Sequence, residues 1–179
     1  MKNDIKEILF TEEAIKRRVK ELGAMITKEF EGEKLLLIGV LKGCFVFLAD
    51  LSRQIDLDCE IRFLTASSYG FSSVTSSKVK IDKDVGFDVK DKHVIIVEDI
   101  LDTGLTLTAL HAMLVGQKPA SLKTCALLDK QERREVPFEA DYTGFICPNE
   151  FVVGYGLDYA EKYRSLPYVA VLKPEIYTT

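Results

Sequence analysis

The run Leu35-Leu-Leu-Ile-Gly-Val-Leu41 leaves this chain little choice of architecture. It is of strand length, follows Lys34 and contains no polar side chain, so a strand made from it is buried on both faces. Strands of that kind belong to parallel sheets covered by helices. Val94-Ile-Ile-Val97, after Asp91-Lys-His93, is the clearest further strand, and Ile61–Ala66, Leu122–Leu128 and Val169–Leu172 read likewise. Between them the apolar period changes. Ala14, Ile15, Val19, Leu22 and Ile26 predict an amphipathic helix after Thr11, and Phe45, Leu48, Leu51 and Ile55 a second. Leu105 to Val115 predict a third, with Gly116 at its stop. Strands alternating with helices predict an α/β fold with a mainly parallel sheet. In such sheets ligands sit beyond the carboxyl ends of the strands.

With 179 residues, 47% hydrophobic and 29% charged, the chain suffices for one domain with a substantial core. No linker, repeat or low-complexity tract divides it. A net charge of -4 and a pI near 5.3 argue against a nucleic-acid partner. Lys16-Arg17-Arg18 and Arg133-Arg134 are read as solvated surface patches. The most apolar stretch, Leu35 to Leu51, is cut by Lys42 and Asp50 and cannot span a bilayer. The first residues carry acids and no apolar core, unlike a signal peptide. Cys44, Cys59, Cys125 and Cys147 form no Cys-x-x-Cys pair and do not stand at zinc spacing from His93 or His111. Reduced structural cysteines in a cytoplasmic protein are the expectation.

The chemistry concentrates in Val94-Ile-Ile-Val-Glu-Asp-Ile-Leu-Asp-Thr-Gly-Leu-Thr106. A buried strand ends in two carboxylates, Glu98 and Asp99, and a third, Asp102, starts a loop that opens a helix. Free N–H groups at a helix start favour a phosphate. Gly104 allows close backbone approach, and Thr103 and Thr106 add hydroxyl donors. Carboxylates repel phosphate but suit hydroxyl donors or a hard metal ion. The pattern therefore predicts a phosphorylated sugar, metal-bound at its diol. An ordinary helix cap would account for one acid or one hydroxyl. It does not account for three carboxylates beside one apolar strand.

The same segment resembles the phosphoribosyl-pyrophosphate (PRPP) motif of type I phosphoribosyltransferases, and Asp102 matches their 6-oxopurine branch, the hypoxanthine-guanine enzymes. The resemblance implies a single domain over residues 1–179. Its twisted, mainly parallel sheet would be flanked by helices, with a small hood from the N-terminal and C-terminal segments over the carboxyl ends of the strands. Four further segments match in order. Leu41-Lys42-Gly43 resembles the pyrophosphate turn, which in the family contains a non-proline cis peptide before the lysine. Ser68-Tyr69-Gly70 resembles the start of the family's mobile loop, which favours a lid over a disordered excursion for the Ser-rich segment that follows. Ser77-Lys78 stand where relatives often carry a glycine. Lys130, closing Leu127-Leu-Asp-Lys130, matches the donor to purine O6. A lysine donates and cannot accept, so it favours a 6-oxo base over a 6-amino one. In Phe151-Val-Val-Gly-Tyr-Gly-Leu-Asp158, Phe151 matches the base-stacking residue, the Val152 backbone the base-edge contact, and Asp158 an acid that holds a second Mg²⁺ through water. Arg164 matches a pyrophosphate contact, as a planar multi-donor cation should.

By that resemblance the chain is a Mg²⁺-dependent enzyme of purine salvage. It would join hypoxanthine or guanine, with xanthine a further candidate, to PRPP and release pyrophosphate. The implied roles are Glu98 and Asp99 for the ribose diol and metal, Asp102 as the acceptor of the purine N7 proton, and Thr103-Gly104-Leu105-Thr106 for the 5-phosphate. Lys42 and Arg164 would stabilise the departing pyrophosphate. Leu105 occupies a position that varies in the family. A homodimer or homotetramer in the cytoplasm is implied, with no nucleic-acid or membrane partner. A haloacid-dehalogenase-type phosphatase needs Asp-x-Asp, whereas two residues separate Asp99 from Asp102. No Walker sequence is present. A PRPP-sensing regulator would be expected to carry an added DNA-binding domain or a basic face.

Overall fold

A computed structural model describes residues 2–68, 79–81 and 86–178. Strand β1 (Ile5–Phe10) leads into helix α1 (Glu12–Glu29). The Thr11 hydroxyl accepts from the Ala14 N–H at 3.2 Å, satisfying one of the unpaired donors of the first turn. The apolar spacing seen in the sequence then buries Ile15, Val19, Leu22 and Ile26. There follow β2 (Leu35–Leu41), α2 (Phe45–Ser52), β3 (Cys59–Ser68), β4 (Val79–Ile81), β5 (His93–Leu101) and α3 (Leu105–Val115). The chain continues through β6 (Ser121–Asp129), β7 (Tyr142–Ile146), β8 (Val152–Val153), β9 (Val169–Leu172) and the short α4 (Pro174–Tyr177).

The main sheet has the order β4-β3-β2-β5-β6-β7, with β3, β2, β5, β6 and β7 parallel and β4 antiparallel at one edge. Both faces of β2 and β5 are covered, as their unbroken apolar runs require. Leu35, Leu37, Ile95 and Val97 pack with α1 and α2, while Leu36, Ile38, Val94 and Ile96 pack with Leu107, Leu110 and Leu114 of α3. Complete burial of a Leu or Ile contributes about 1.5–3 kcal/mol, so this double layer holds the helices on both faces of the sheet.

Three features depart from the sequence reading. The late strand Val169–Leu172 is not in the main sheet. It is the middle strand of a separate antiparallel sheet, β1-β9-β8, with Ile5 opposite Leu172 and Val152 opposite Val171. Strand β5 does not stop at Val97, because Ile100 and Leu101 continue the ladder against Leu128 and Asp129 of β6. Arg18 is not a solvated patch: its guanidinium donates to the carbonyls of Gly144 and Thr143 at 2.9 and 2.8 Å, tying α1 to β7. No helix among the described residues is long and apolar enough to cross a membrane.

Candidate active site

At the carboxyl ends of β2, β3 and β5 lies a cavity of about 520 Å³. Its lining includes Leu41, Lys42, Gly43, Glu98, Asp99, Asp102, Thr103, Gly104, Thr106, Asp158 and Arg164, all singled out from the sequence. Thr65, Ile100 and Leu157 line it as well and had no sequence signal beyond their apolar or strand context. Ser68 closes β3, and Tyr69 and Gly70 lie outside the described residues, as do Ser77 and Lys78. Leu105 opens α3 but does not line the cavity.

Glu98 and Asp99 are 8% and 7% exposed. Among the described residues neither forms an ion pair with a lysine or arginine. The Ile100 N–H donates to Asp99 Oδ1 at 3.0 Å. Burial, and then repulsion from Asp99, push the Glu98 carboxyl well above the usual carboxylate range. Burial also raises Asp99, opposed by hydrogen bonding and by the more distant charge of Arg164. Asp99 lies so close to Gly43 that any Cβ there would overlap its carboxylate, which is why a glycine stands in this turn. The peptide bond between Leu41 and Lys42 is cis.

The loop after β5 turns through Gly104 at φ +84°, a left-handed conformation natural to glycine, where a Cβ would also meet Val136 at 2.9 Å. Among the described residues no carboxylate caps α3. The Leu105 N–H reaches the Thr103 hydroxyl at a long 3.4 Å, and the Asp102 carboxylate instead accepts from Arg133 Nε at 2.7 Å. The positive end of α3 thus faces the cavity without a neutralising acid at its cap.

A strap after β6 supports this loop. Lys130 N–H donates to the Leu101 carbonyl at 2.9 Å, Arg134 to the Asp102 carbonyl at 2.9 Å, and Glu135 N–H to the Thr103 carbonyl at 2.9 Å. Arg134 is also ion-paired with buried Asp129. Arg133 and Arg134, read from sequence as a solvated patch, are therefore part of the site's framework. Without knowledge of which loop lies opposite, two adjacent arginines carry no such signal.

Lys130, Phe151 and Val152 do not line the cavity. Lys130 is buried at the end of β6, and Val152 is buried in β8 at the edge of the small sheet. Leu172 N–H donates to the Phe151 carbonyl at 2.9 Å, which puts the next pair, Val152 and Val171, at a non-hydrogen-bonded position. The backbone groups of Val152 consequently point away from β9, to the open edge of that sheet. Phe151 remains 36% exposed, with one face stacked on Tyr177 at 4.6 Å and 20° and Tyr159 standing nearly perpendicular to it at 5.6 Å.

The opposite wall of the cavity is the segment from Asp158 to Arg164. Arg164 donates to the Gly156 carbonyl at 2.8 Å and pairs with Asp158 at 2.9 Å, while its buried Nε has no hydrogen-bond partner among the described residues. Glu161, which sequence reasoning passed over, pairs with both Lys42 and Arg164. A doubly wound sheet with two buried carboxylates, a glycine-turned anion loop and two facing cations at its carboxyl edge defines a class that handles phosphorylated ribose.

The comparisons agree. Residues 6–160 match the family model described as a phosphoribosyl transferase domain, and the chain belongs to that family, with the type I fold. It is similar to the hypoxanthine-guanine phosphoribosyltransferase of Bacillus subtilis (strain 168), at 50% identity over 99% of this chain and 98% of that protein. The crystal structure of a hypoxanthine phosphoribosyltransferase from Staphylococcus aureus superimposes with a TM-score of 0.95 at 47% identity, covering 100% of this chain and 97% of that one. The bifunctional protein TilS/HprT of Listeria innocua is 49% identical over 99% of this chain, which spans 28% of that longer protein.

Proposed function

We infer that the protein transfers the 5-phosphoribosyl group of PRPP to hypoxanthine or guanine, giving IMP or GMP and pyrophosphate in purine salvage. The observation that carries the reading is a pair of buried carboxylates, Glu98 and Asp99, with no ion-pairing lysine or arginine among the described residues, in one cavity with the Thr103–Thr106 loop and with Lys42 and Arg164. Two such carboxylates need partners that donate hydrogen bonds or bring positive charge. Ribose hydroxyls and a divalent cation are such partners.

Among the described residues no three His, Cys, Asp or Glu side chains converge on a metal position. Mg²⁺ in phosphate chemistry is held by one or two carboxylates, with water and ligand oxygens completing its shell. Glu98 and Asp99 therefore fit an ion shared with the substrate, and Asp158 fits a second one held through water. When bound, Mg²⁺ supplies positive charge that offsets the charge growing on the diphosphate.

The chain's own groups do the rest by position and charge. Thr103, Thr106 and the N–H groups opening α3 hold the 5-phosphate. Lys42 and Arg164, which line the cavity, receive the pyrophosphate as the C1–O bond breaks, an interaction that strengthens as charge develops. The purine N9 forms the new bond to C1, and Asp102 accepts the proton from N7. Lys130 donates to O6, Phe151 offers its ring to the base, and the outward backbone of Val152 meets the base edge. The chain acts as one domain over residues 1–179, with the small sheet as the hood. A homodimer or homotetramer is supported by the exposed apolar side chains of Phe45 and Phe63, 44% and 49% accessible. Its place is the cytoplasm, with neither nucleic acid nor membrane as partner.

The test is pyrophosphate release from PRPP and Mg²⁺ with hypoxanthine, guanine, xanthine and adenine in turn. Turnover with hypoxanthine or guanine and none with adenine is expected. Absence of turnover with every base would leave a PRPP-sensing module in its place.

A further inference from the structure

The two cations assigned to pyrophosphate are not free to wait for it. Lys42 Nζ lies 3.0 Å from Glu161 Oε1, and Arg164 Nη2 lies 3.4 Å from Glu161 Oε2. Lys42 comes from the turn after β2 and Arg164 from the segment before β9, so one carboxylate spans cations from opposite walls of the cavity.

The backbone that carries this carboxylate is unusual. Tyr159 and Lys162 exchange N–H to carbonyl bonds of 3.2 and 3.0 Å around a two-residue turn. Both central residues, Ala160 and Glu161, have positive φ, at 51° and 60°. Turns of that form favour Asn-Gly, because Gly has no Cβ and Asn and Asp tolerate a left-handed backbone better than other residues. Ala-Glu has neither advantage and places an acid at the tip. Asp158 Oδ2 accepts from the Glu161 N–H at 2.8 Å, which fixes the tip's orientation. The Glu161 side chain is 66% exposed, so a soluble anion has access to the same two cations.

We propose that Glu161 is the exchangeable counter-anion of the pyrophosphate subsite: it neutralises Lys42 and Arg164 between turnovers and is displaced by pyrophosphate. The proposal rests on the reading that Lys42 and Arg164 receive the leaving group. Two effects of the carboxylate have the same sign. It competes for both cations, and it repels an incoming polyanion. Glu161 thereby weakens pyrophosphate binding and speeds its departure, a positioning role exerted through Lys42 and Arg164.

The experiment is calorimetric titration of the full chain with inorganic pyrophosphate and Mg²⁺, using wild type, Glu161→Gln, Glu161→Asp and Glu161→Asn, with Glu60→Gln as a control for net charge. Loss of a largely exposed ion pair corresponds to a change of up to about fivefold, and Glu161 makes two such pairs. Pyrophosphate is expected to bind Glu161→Gln and Glu161→Asn about fivefold more tightly, with a parallel fall in the product-inhibition constant. The difference should shrink in strong salt. Glu161→Asp should bind like wild type, as should Glu60→Gln. A purely conformational role would make Asp and Asn behave alike, because both suit a positive φ, and that result overturns the proposal. Unchanged or weaker binding by the Gln variant overturns it too, while leaving the proposed activity intact if wild type binds pyrophosphate and turns over. Wild type that ignores pyrophosphate removes both readings together.

Discussion

The two ends of the parallel sheet carry cavities of nearly equal size and equal acidity. The carboxyl end has about 520 Å³ with Glu98, Asp99, Asp102 and Asp158, and the amino end about 500 Å³ with Glu33, Asp58, Glu60 and Asp91. Their chemistry differs. At the amino end the acids lie near solvent beside matching bases: Lys92 to Glu60 at 2.9 Å, Lys34 to Asp58 at 3.4 Å, and His93 to Glu33 at 3.5 Å. At the carboxyl end Glu98 and Asp99 are buried against each other, and the two nearby cations are held by Asp158 and Glu161 instead. Exposed pairs of the first kind contribute about 0–1 kcal/mol each. Buried, unpaired carboxylates are unfavourable until a ligand compensates them. Cavity volume and a count of acids therefore say little. Burial without partners separates a site that waits for a ligand from a solvated groove.

Three substitutions would break or sharpen this contrast. Asp102→Asn should have the largest effect. General-base contributions are about 10²- to 10⁴-fold, so turnover with hypoxanthine should fall within that range while PRPP binding, followed by calorimetry, persists. Turnover like that of the parent would remove Asp102 from the proposed role. The second is Glu98→Gln, whose effect should be on stability without ligand. The folded-state proton affinity of Glu98 is raised, so between the ordinary carboxylate range and its raised value the native state binds more protons than the unfolded chain. Stability must then fall as pH rises through that window and level off above it. The Gln variant should lack this decline and melt about 2–4 °C higher at neutral pH, a shift that corresponds to about 1 kcal/mol in a chain of this size. Scanning calorimetry across pH would show it, and a lower melting temperature would contradict the account. The smallest effect belongs to Glu60→Gln at the amino end. Its pair with Lys92 is 38% exposed on both sides, so stability should change by less than about 0.5 kcal/mol and activity not at all.

Much of this contrast was legible in the sequence, and the limits have physical causes. The apolar runs of β2 and β5 specified a doubly covered parallel sheet, and Thr11 announced the start of α1. Glu98, Asp99, Asp102 and Gly104 stand close together in the chain, so spacing alone gathered them. Strand β1, with its mixed burial, has no unbroken apolar run and gave no comparable signal. The continuation of β5 through Ile100 and Leu101 was hidden because two acids interrupt the apolar pattern, although the ladder to β6 persists through them. Arg133 and Arg134 meet Asp102 across 31 and 32 positions, and Glu161 meets Lys42 across 119. Contacts of that range are set by the packing of loops, which no local period encodes. Lys130, Phe151 and Val152 took meaning only from resemblance, because by themselves they read as a charged loop and a buried strand.

The hood sheet joins Ile5 to Leu172, positions separated by nearly the whole chain. Such a pairing is among the slowest kinds to form, since a very long loop must close before any contact is gained. During synthesis β1 cannot pair with β9 until every strand of the parallel sheet, all of which lie between them in the chain, has emerged. The parallel sheet has by then had its components for much longer. The order of assembly that follows is floor first and roof last, with the small sheet completed only after β9 has emerged.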